Sequence, residues 1–312
     1  MSFQPRPYRD SSDLEEMRAI LTEGRKADNG AYYVHTGDVS WWLFYHDPEE
    51  PFSEQIVLWD DDDGRTLGWA LFTPDEGFFD LFIHPSLLGT QQARQMHDWA
   101  EEQIAEKVKA RGGKTIRVMW VFETDAARRR LLEERGFSLA GSESHLGQML
   151  YFTRSLAEPI ARLALPDGFV VRSTAGEREV EARAAAQYGA FQSKWDWDRY
   201  VTRFRRFMQS PVYSPERDVA AVAPEGRFAA FCIFWLDPVN KVGLFEPVGT
   251  HPDFQKKGLG KAALLEGLRR MKTGGMETAI VCAEADNEAA VKLYESLGFG
   301  VANKLCMYVK DV

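Results

Sequence analysis

Apolar positions along the chain follow two periods. Segments 217–223, 227–236 and 242–250 are dense in Val, Ala, Phe and Ile and read as strands; a helix from 258, the strand "TAIVCA", a helix over 287–297 and a last strand near 304–310 follow. Trp197, Tyr200, Phe204 and Phe207 recur at helical spacing and predict an amphipathic helix over 195–210. Before it, "GFVVRS" reads as a strand and 176–192 as a helix. In the first half, strands are predicted near 55–60, 66–73, 77–83, 115–122 and 147–153, with a long helix over 91–111. Strands that meander early and alternate with helices late predict an α/β fold, a mixed and mostly antiparallel sheet flanked by helices.

The order of elements repeats. His84-Pro85 in "LFIHPSLLG" returns as His251-Pro252 in "PVGTHPDFQ", and the helix ending "RRRLLEERGF" at Phe137 returns as "AVKLYESLGF" at Phe299. The 91–111 helix has room for the five residues by which the two offsets differ. Each half reads helix, polar break, strand, helix between these landmarks, so a duplicated domain is the better reading. The seam falls at "SLAEPIARLALPDG", residues 155–168, where two prolines interrupt regular structure. This divides the chain into tandem domains, 1–155 and 156–312.

Composition narrows the class. The chain has 312 residues, 45% hydrophobic and 27% charged, as expected of a globular protein with a substantial core. No apolar run is long enough to cross a bilayer, and the first residues lack the apolar stretch of a secretory signal. Cys232, Cys282 and Cys306 lie in apolar runs without zinc spacing and read as reduced core residues of a cytoplasmic protein. A net charge of −9 argues against nucleic-acid binding, though a local basic patch would still hold phosphates. Neither membrane nor nucleic acid is expected as a partner, and monomer and homodimer both fit.

Such a patch is "FQKKGLGKAALLEGL", Phe254 to Leu268. A glycine turn opening a helix leaves backbone N–H groups unpaired at the positive end of the helix dipole, an anion site. Gly258 and Gly260 let phosphates approach the backbone, and Gln255, Lys256, Lys257 and Lys261 add donors and charge. No Walker loop is present. Gly258-Leu259-Gly260-Lys261-Ala262-Ala263 satisfies a dinucleotide G-x-G-x-x-A, with Glu284 at the distance of a ribose contact, but "HPDFQKK" separates the first glycine from its strand.

Gln255-Lys256-Lys257-Gly258-Leu259-Gly260 resembles the Q/R-x-x-G-x-G/A signature of the GCN5-related N-acetyltransferases. The likeness extends through "FEPVGTHPDFQ" upstream and "ADNEAAVKLYESLGF" downstream, over 217–310, and more faintly over 55–153, the layout of a tandem member. The resemblance implies that Gln255, Lys256, Lys257, Gly258, Leu259, Gly260 and Lys261 bind the pyrophosphate of acetyl-CoA. It also implies that the strand with Val248, Gly249 and Thr250 meets the thioester carbonyl, and that Tyr294 is the acid for the departing sulfur. Tyr294 also fits a core stripe with Ala290, Leu293 and Leu297. Asn287 would bond the pantetheine arm or cap its helix. Glu246 lies two residues before Val248, on the same face by alternation, and is a candidate base, an acceptor contact or a solvated strand residue. His-Pro at 251 reads as structural and Cys282 as core.

In the first half the equivalent stretch is "LLGTQQAR", with Gln91 and Ala93 where Gly258 and Gly260 stand. Leu132 takes the place of Tyr294 and Asp125 that of Asn287. A leucine donates no proton and an aspartate repels phosphate, so the first half reads as degenerate. The aromatics of 32–47 and of 195–207 read mostly as helix faces packed into cores. The expectation is an N-acetyltransferase that moves an acetyl group from acetyl-CoA to a primary amine of a small molecule or peptide, by direct attack and without a metal. A non-catalytic acyl-CoA sensor and a dinucleotide-dependent oxidoreductase are the alternatives.

Overall fold

A computed structural model describes residues 4–28, 32–45, 51–141 and 148–312. The first half contains β1 (Arg6–Pro7), α1 (Ser11–Asp28), α2 (Thr36–Tyr45), α3 (Phe52–Gln55), β2 (Ile56–Asp60), β3 (Thr66–Thr73), β4 (Phe78–Ile83), α4 (Gln91–Ala110), β5 (Thr115–Phe122), α5 (Ala126–Glu134), β6 (Ser138–Leu139) and β7 (Gln148–Ser155). The second contains β8 (Val170–Ser173), α6 (Val180–Ala190), α7 (Trp197–Gln209), β9 (Asp218–Val222), β10 (Phe228–Asp237), β11 (Val242–Thr250), α8 (Leu259–Thr273), β12 (Thr278–Glu284), α9 (Glu288–Ser296) and β13 (Gly300–Asp311). Each predicted strand and helix has its counterpart. The helix expected over 176–192 opens as a 3-10 turn, Gly176–Glu179, before α6 begins. His46 and Asp47 of the aromatic-rich stretch, and residue 147, lie outside the described residues.

The strands form one mixed sheet in the order β1-β2-β3-β4-β5-β13-β7-β12-β11-β10-β9-β8, with β6 paired to β13. Only β4–β5 and β11–β12 are parallel among the described pairs. At its centre the two halves exchange strands. β7, which precedes the seam, runs between β13 and β12, while β13 runs between β7 and β5 of the first half. Each half therefore supplies the strand that covers the open edge of the other's fifth strand, and no edge is left bare at the join.

The helices cover the sheet on two faces. On one face α4 packs over a core with Met96, Ile104 and Phe137 buried, which Tyr308 of β13 joins from the second half, and α8 and α9 pack over another with Leu264, Leu268 and Phe299. The opposite face carries one core common to both halves, joining Trp41, Trp69 and Phe82 to Phe204, Phe207, Trp235 and Ile280. Most of the 32–45 aromatics are buried there, as their spacing predicts: Trp41 stacks on Tyr45 at 3.8 Å and meets Phe207 edge-on at 5.1 Å.

Polar groups inside this core are tied across the seam. The Tyr45 hydroxyl accepts from Gln187 Nε2 at 2.6 Å and from Arg203 at 2.7 Å, and donates to the Tyr200 hydroxyl at 2.9 Å. Within the second half, Arg183 pairs with Asp218 at 2.8 Å, both side chains fully buried. Among the described residues no helix is long and apolar enough to cross a membrane.

Candidate active site

The parallel strands β11 and β12 are paired only from Val242–Thr278 to Phe245–Val281. Beyond that point β11 runs on to Thr250 and β12 to Glu284 without bonding each other. A wedge opens between them, and the N–H and C=O groups lining it have no strand partner. Val248, Gly249 and Thr250 lie on one wall, with α8 starting a few residues beyond.

The cradle follows. His251 accepts the Asp253 N–H through Nδ1 and caps the turn Pro252–Phe254, as His84 caps its counterpart, so the repeated His-Pro pair is a structural device. Lys256 and Gly258 both adopt left-handed φ, +61° and +76°, turning successive amides to one side as in an anion nest. Gly258 is the N-cap of α8 and offers no side-chain acceptor to its first N–H groups. Gln255, Lys256, Lys257 and Gly258 are exposed. Leu259 contributes only backbone, since its side chain is buried with Ala221, Ala230 and Phe254. Lys261 already donates to the Ser296 carbonyl at 3.0 Å, tying α8 to the end of α9.

Gly260 and Gly249 each have a packing reason to be glycine. A Cβ on Gly260 would lie 2.7 Å from Thr250 Oγ1, so this glycine lets α8 close onto β11. A Cβ on Gly249 would meet the Phe231 ring at 2.4 Å. At Gly258 a Cβ would make only ordinary contact, 3.4 Å from Leu163 Cδ2, and it is the left-handed φ that calls for glycine there.

In the first half the same helix start is closed. Thr90 Oγ1 accepts the Ala93 N–H at 3.3 Å, occupying a donor that the second half leaves free. Leu132 is buried where Tyr294 would stand. Asp125 and Asn287 both cap their helices, accepting from Arg128 and Ala290 N–H at 2.9 and 3.1 Å.

Tyr294 is buried against Phe152, 5.7 Å between ring centroids, and Phe152 belongs to the exchanged strand β7. Its hydroxyl finds no hydrogen-bond partner among the described residues, and burial pushes its pKa further up. It stays a phenol, a proton donor.

Glu246 does not share a face with Val248. The β10–β11 register slips by one residue between the pairs Cys232–Val248 and Phe234–Phe245, and this bulge interrupts alternation. Val248 packs with Phe245 toward α8, whereas Glu246 follows Leu244 toward the shared core. There it meets a partner that the sequence alone did not suggest: the carboxyl of Asp38 on α2 shares a hydrogen bond with that of Glu246. Two carboxyls bond only if one holds a proton, and burial raises both pKa values.

The start of α2 is clamped for this contact. His35 is buried and neutral, its pKa driven down to about 3 by desolvation and then by Arg25. Its Nδ1 accepts from Gly37 N–H at 2.9 Å and its Nε2 bonds the Val242 carbonyl at 3.1 Å. Asp38 Oδ2 accepts the His35 N–H at 2.7 Å. Gly37 has Trp235 against it, and Trp235 Nε1 donates to the Glu246 carbonyl at 2.7 Å. Cys282, expected in a core, is only half-buried and has Asp38, Glu246 and Arg25 for electrostatic neighbours; burial, then those carboxyls, keep it a thiol.

A family model described as the acetyltransferase (GNAT) family matches residues 181–299. Among curated relatives, a mycothiol acetyltransferase of Saccharomonospora viridis is 31% identical over 235 residues, 70% of each chain. One of Streptomyces griseus is 25% identical over 303 residues, 96% of this chain and 92% of the relative. A tandem GNAT protein from the clavulanic acid biosynthesis pathway superposes with a TM-score of 0.70 at 14% identity, covering 99% of this chain and 98% of that one. A GCN5-related N-acetyltransferase from Sphaerobacter thermophilus gives 0.62 at 17% identity over 99% and 95%. These two likenesses concern the fold.

Proposed function

The chain belongs to the acetyltransferase (GNAT) family and is an acetyl-CoA-dependent acyltransferase, and from this premise we propose that it acetylates a primary amine of a small acceptor by direct attack. Residues 156–312 form the half with the working cofactor site, and residues 1–155 the half without one. The observation that carries the reading is the wedge between β11 and β12, with an uncapped, lysine-flanked helix start at one end and a half-buried carboxyl pair at the other.

Acetyl-CoA supplies the activated acyl group as a thioester. The nest at Lys256–Gly258, the first N–H groups of α8 and the flanking lysines suit its pyrophosphate. N–H groups of β11 around Val248, Gly249 and Thr250 that point into the wedge are the donors for the thioester oxygen, preset by the strand and needing no rearrangement. Glu246, its proton shared with Asp38, takes the proton from the acceptor ammonium. Tyr294 returns a proton to the thiolate. Asn287 holds its helix and the nearby backbone. Cys282, kept protonated, is a poor nucleophile, which favours direct attack over an acyl-cysteine.

The mycothiol acetyltransferases among the relatives make an amine on a small thiol-bearing molecule the first acceptor class to try. The test is release of CoA thiol from acetyl-CoA against a panel of primary amines. Turnover lost in Glu246→Gln and Tyr294→Phe, with acetyl-CoA still bound, supports the reading. Turnover unaffected in both variants, or NADH bound in place of acetyl-CoA, overturns it.

A further inference from the structure

The seam peptide does more than join the halves. It lies along α8, from the last turn of that helix back to its start. Lys272 Nζ donates to the Ala157 and Glu158 carbonyls at 2.8 and 2.9 Å. Ile160 packs on the core beneath α8 and α9, and Leu165 packs on Phe254 and Leu259. Leu163 between them reaches the cradle, its Cδ2 3.4 Å from the position a Cβ on Gly258 would take.

The peptide and the helix enclose a cavity of about 590 Å³, lined by Arg162, Leu163, Glu266, Arg269, Arg270 and Thr273. Glu266 holds two of the guanidinium groups in place: its Oε2 accepts from Arg269, and its Oε1 from Arg270 Nε at 2.9 Å. Arg270 also donates to Ser173 Oγ and, at 2.7 Å, to the Glu216 carbonyl. The Glu216 carboxylate accepts from Ser214 Oγ at 2.7 Å. Arg269 Nε is buried without an acceptor among the described residues. Arg162 is exposed and has no hydrogen-bond or ion-pair partner among them.

Three guanidinium groups against one carboxylate give the lining a surplus of two positive charges. Part of it has a local reason, since Arg270 and Lys272 offset the negative end of the α8 dipole. That reason does not extend to Arg162, which belongs to no helix, or to Arg269, which stands before the last turn. A phosphate monoester carries about two negative charges and three acceptor oxygens, and arginines fixed by a shared carboxylate present their donors to it without reordering. A single carboxylate would leave one charge over.

We propose that this cavity binds one phosphate monoester, held between Arg162 of the seam and the Arg269–Arg270 pair of α8. Because Leu163 lines the cavity and also abuts the cradle, one source of the phosphate is acetyl-CoA itself, whose ribose 3′-phosphate lies beside the pyrophosphate. The other is a separate phosphorylated metabolite bound next to the cofactor. The first source rests on the cradle reading above and the second does not.

Calorimetric titration of the full chain tests this in two arms. One compares acetyl-CoA with acetyl-dephospho-CoA, which lacks the 3′-phosphate. The other adds ribose 5-phosphate, with ribose as the control, to the chain saturated with acetyl-CoA so that the cradle is occupied. If the cofactor fills the site, acetyl-CoA should bind about tenfold or more tighter than its dephospho form, and ribose 5-phosphate should not bind. If a separate ligand fills it, the two cofactors should bind equally and one ribose 5-phosphate per chain should bind, with no heat from ribose. In either case Arg162→Gln and Arg269→Gln should each weaken the phosphate effect by about tenfold or more. Arg162→Gln alters an exposed side chain without partners, so the fold is not at stake in it. Equal cofactor affinities with no ribose 5-phosphate binding, or a phosphate effect that survives both variants, overturns the site. Failure of acetyl-CoA to bind at all overturns the cradle reading instead, and ribose 5-phosphate binding to the parent chain and the two arginine variants then decides the site.

Discussion

Gly260→Ala distinguishes two reasons for a glycine at the second residue of α8. The new Cβ would lie 2.7 Å from Thr250 Oγ1 and 3.8 Å from Leu293 Cδ2. Thr250 stands at the end of β11, so relief requires α8 to back away from the strand or Thr250 to leave its rotamer. Overpacking of this kind costs roughly 1–3 kcal/mol. Replacing glycine with alanine in a helix returns about 0.5–1 kcal/mol. A net loss of about 1–2 kcal/mol is expected, with weakened acetyl-CoA binding because the cradle moves with the helix. Thr250→Ala deletes the obstructing atom, so in the double variant most of both losses should disappear, a coupling of about 1–2 kcal/mol. Urea unfolding and acetyl-CoA titration of the four proteins of the cycle measure this. If the glycine existed to admit the pyrophosphate, Thr250→Ala would leave the binding defect in place. That outcome, or a Gly260→Ala protein as stable as its parent, refutes the packing argument.

Tyr294→Phe should lower kcat by about 10²-fold with the acetyl-CoA dissociation constant unchanged, since the hydroxyl has no protein partner among the described residues to lose; steady-state kinetics beside a binding titration separates the two quantities. The contribution of Asp38 and Asp80 to stability should fall as pH rises from about 4 to about 7, against the opposite contribution of His35 and His97, whose pKa values burial lowers to about 3. Asp80 titrates at about 7 and Asp38 at about 6 when folded, both raised by burial from 3.8, so in this window these two groups hold more protons in the folded chain than in the unfolded one and lose that advantage with rising pH. Asp80→Asn should remove its share of that fall in urea melts at a series of pH values, and an unchanged slope would exclude Asp80 as a source. Arg183→Met should cost about 3–5 kcal/mol by stranding the buried Asp218 carboxylate, and adding Asp218→Asn should recover part of it in the same melts.

Local pattern made much of this legible. The apolar runs, the amphipathic spacing of Trp197 to Phe207 and the cradle from Gln255 to Lys261 each lie within a few residues, where period and turn chemistry act. The exchange of β7 and β13 is not local. Phe152 reaches Tyr294 across 142 positions, and nothing in either segment says which sheet it joins. Asp38 reads as an ordinary first-turn acid of α2, and only the clamp through His35 and Trp235 brings it to Glu246. The bulge between β10 and β11 defeated the alternation argument, since strand period fails where one residue is unpaired. Gly249 and Gly260 were recognisable as required glycines, but the atoms that require them, in Phe231 and Thr250, are set by tertiary contact.

Calorimetric titration with acetyl-CoA bears most directly on the claim that the second half alone holds the cofactor. The expected result is one molecule per chain, weakened about tenfold or more in the exposed double variant Lys256→Glu, Lys257→Glu and unchanged in Gln91→Glu at the start of α4. Two molecules per chain, or one whose binding responds to Gln91→Glu and ignores the two lysines, would contradict it.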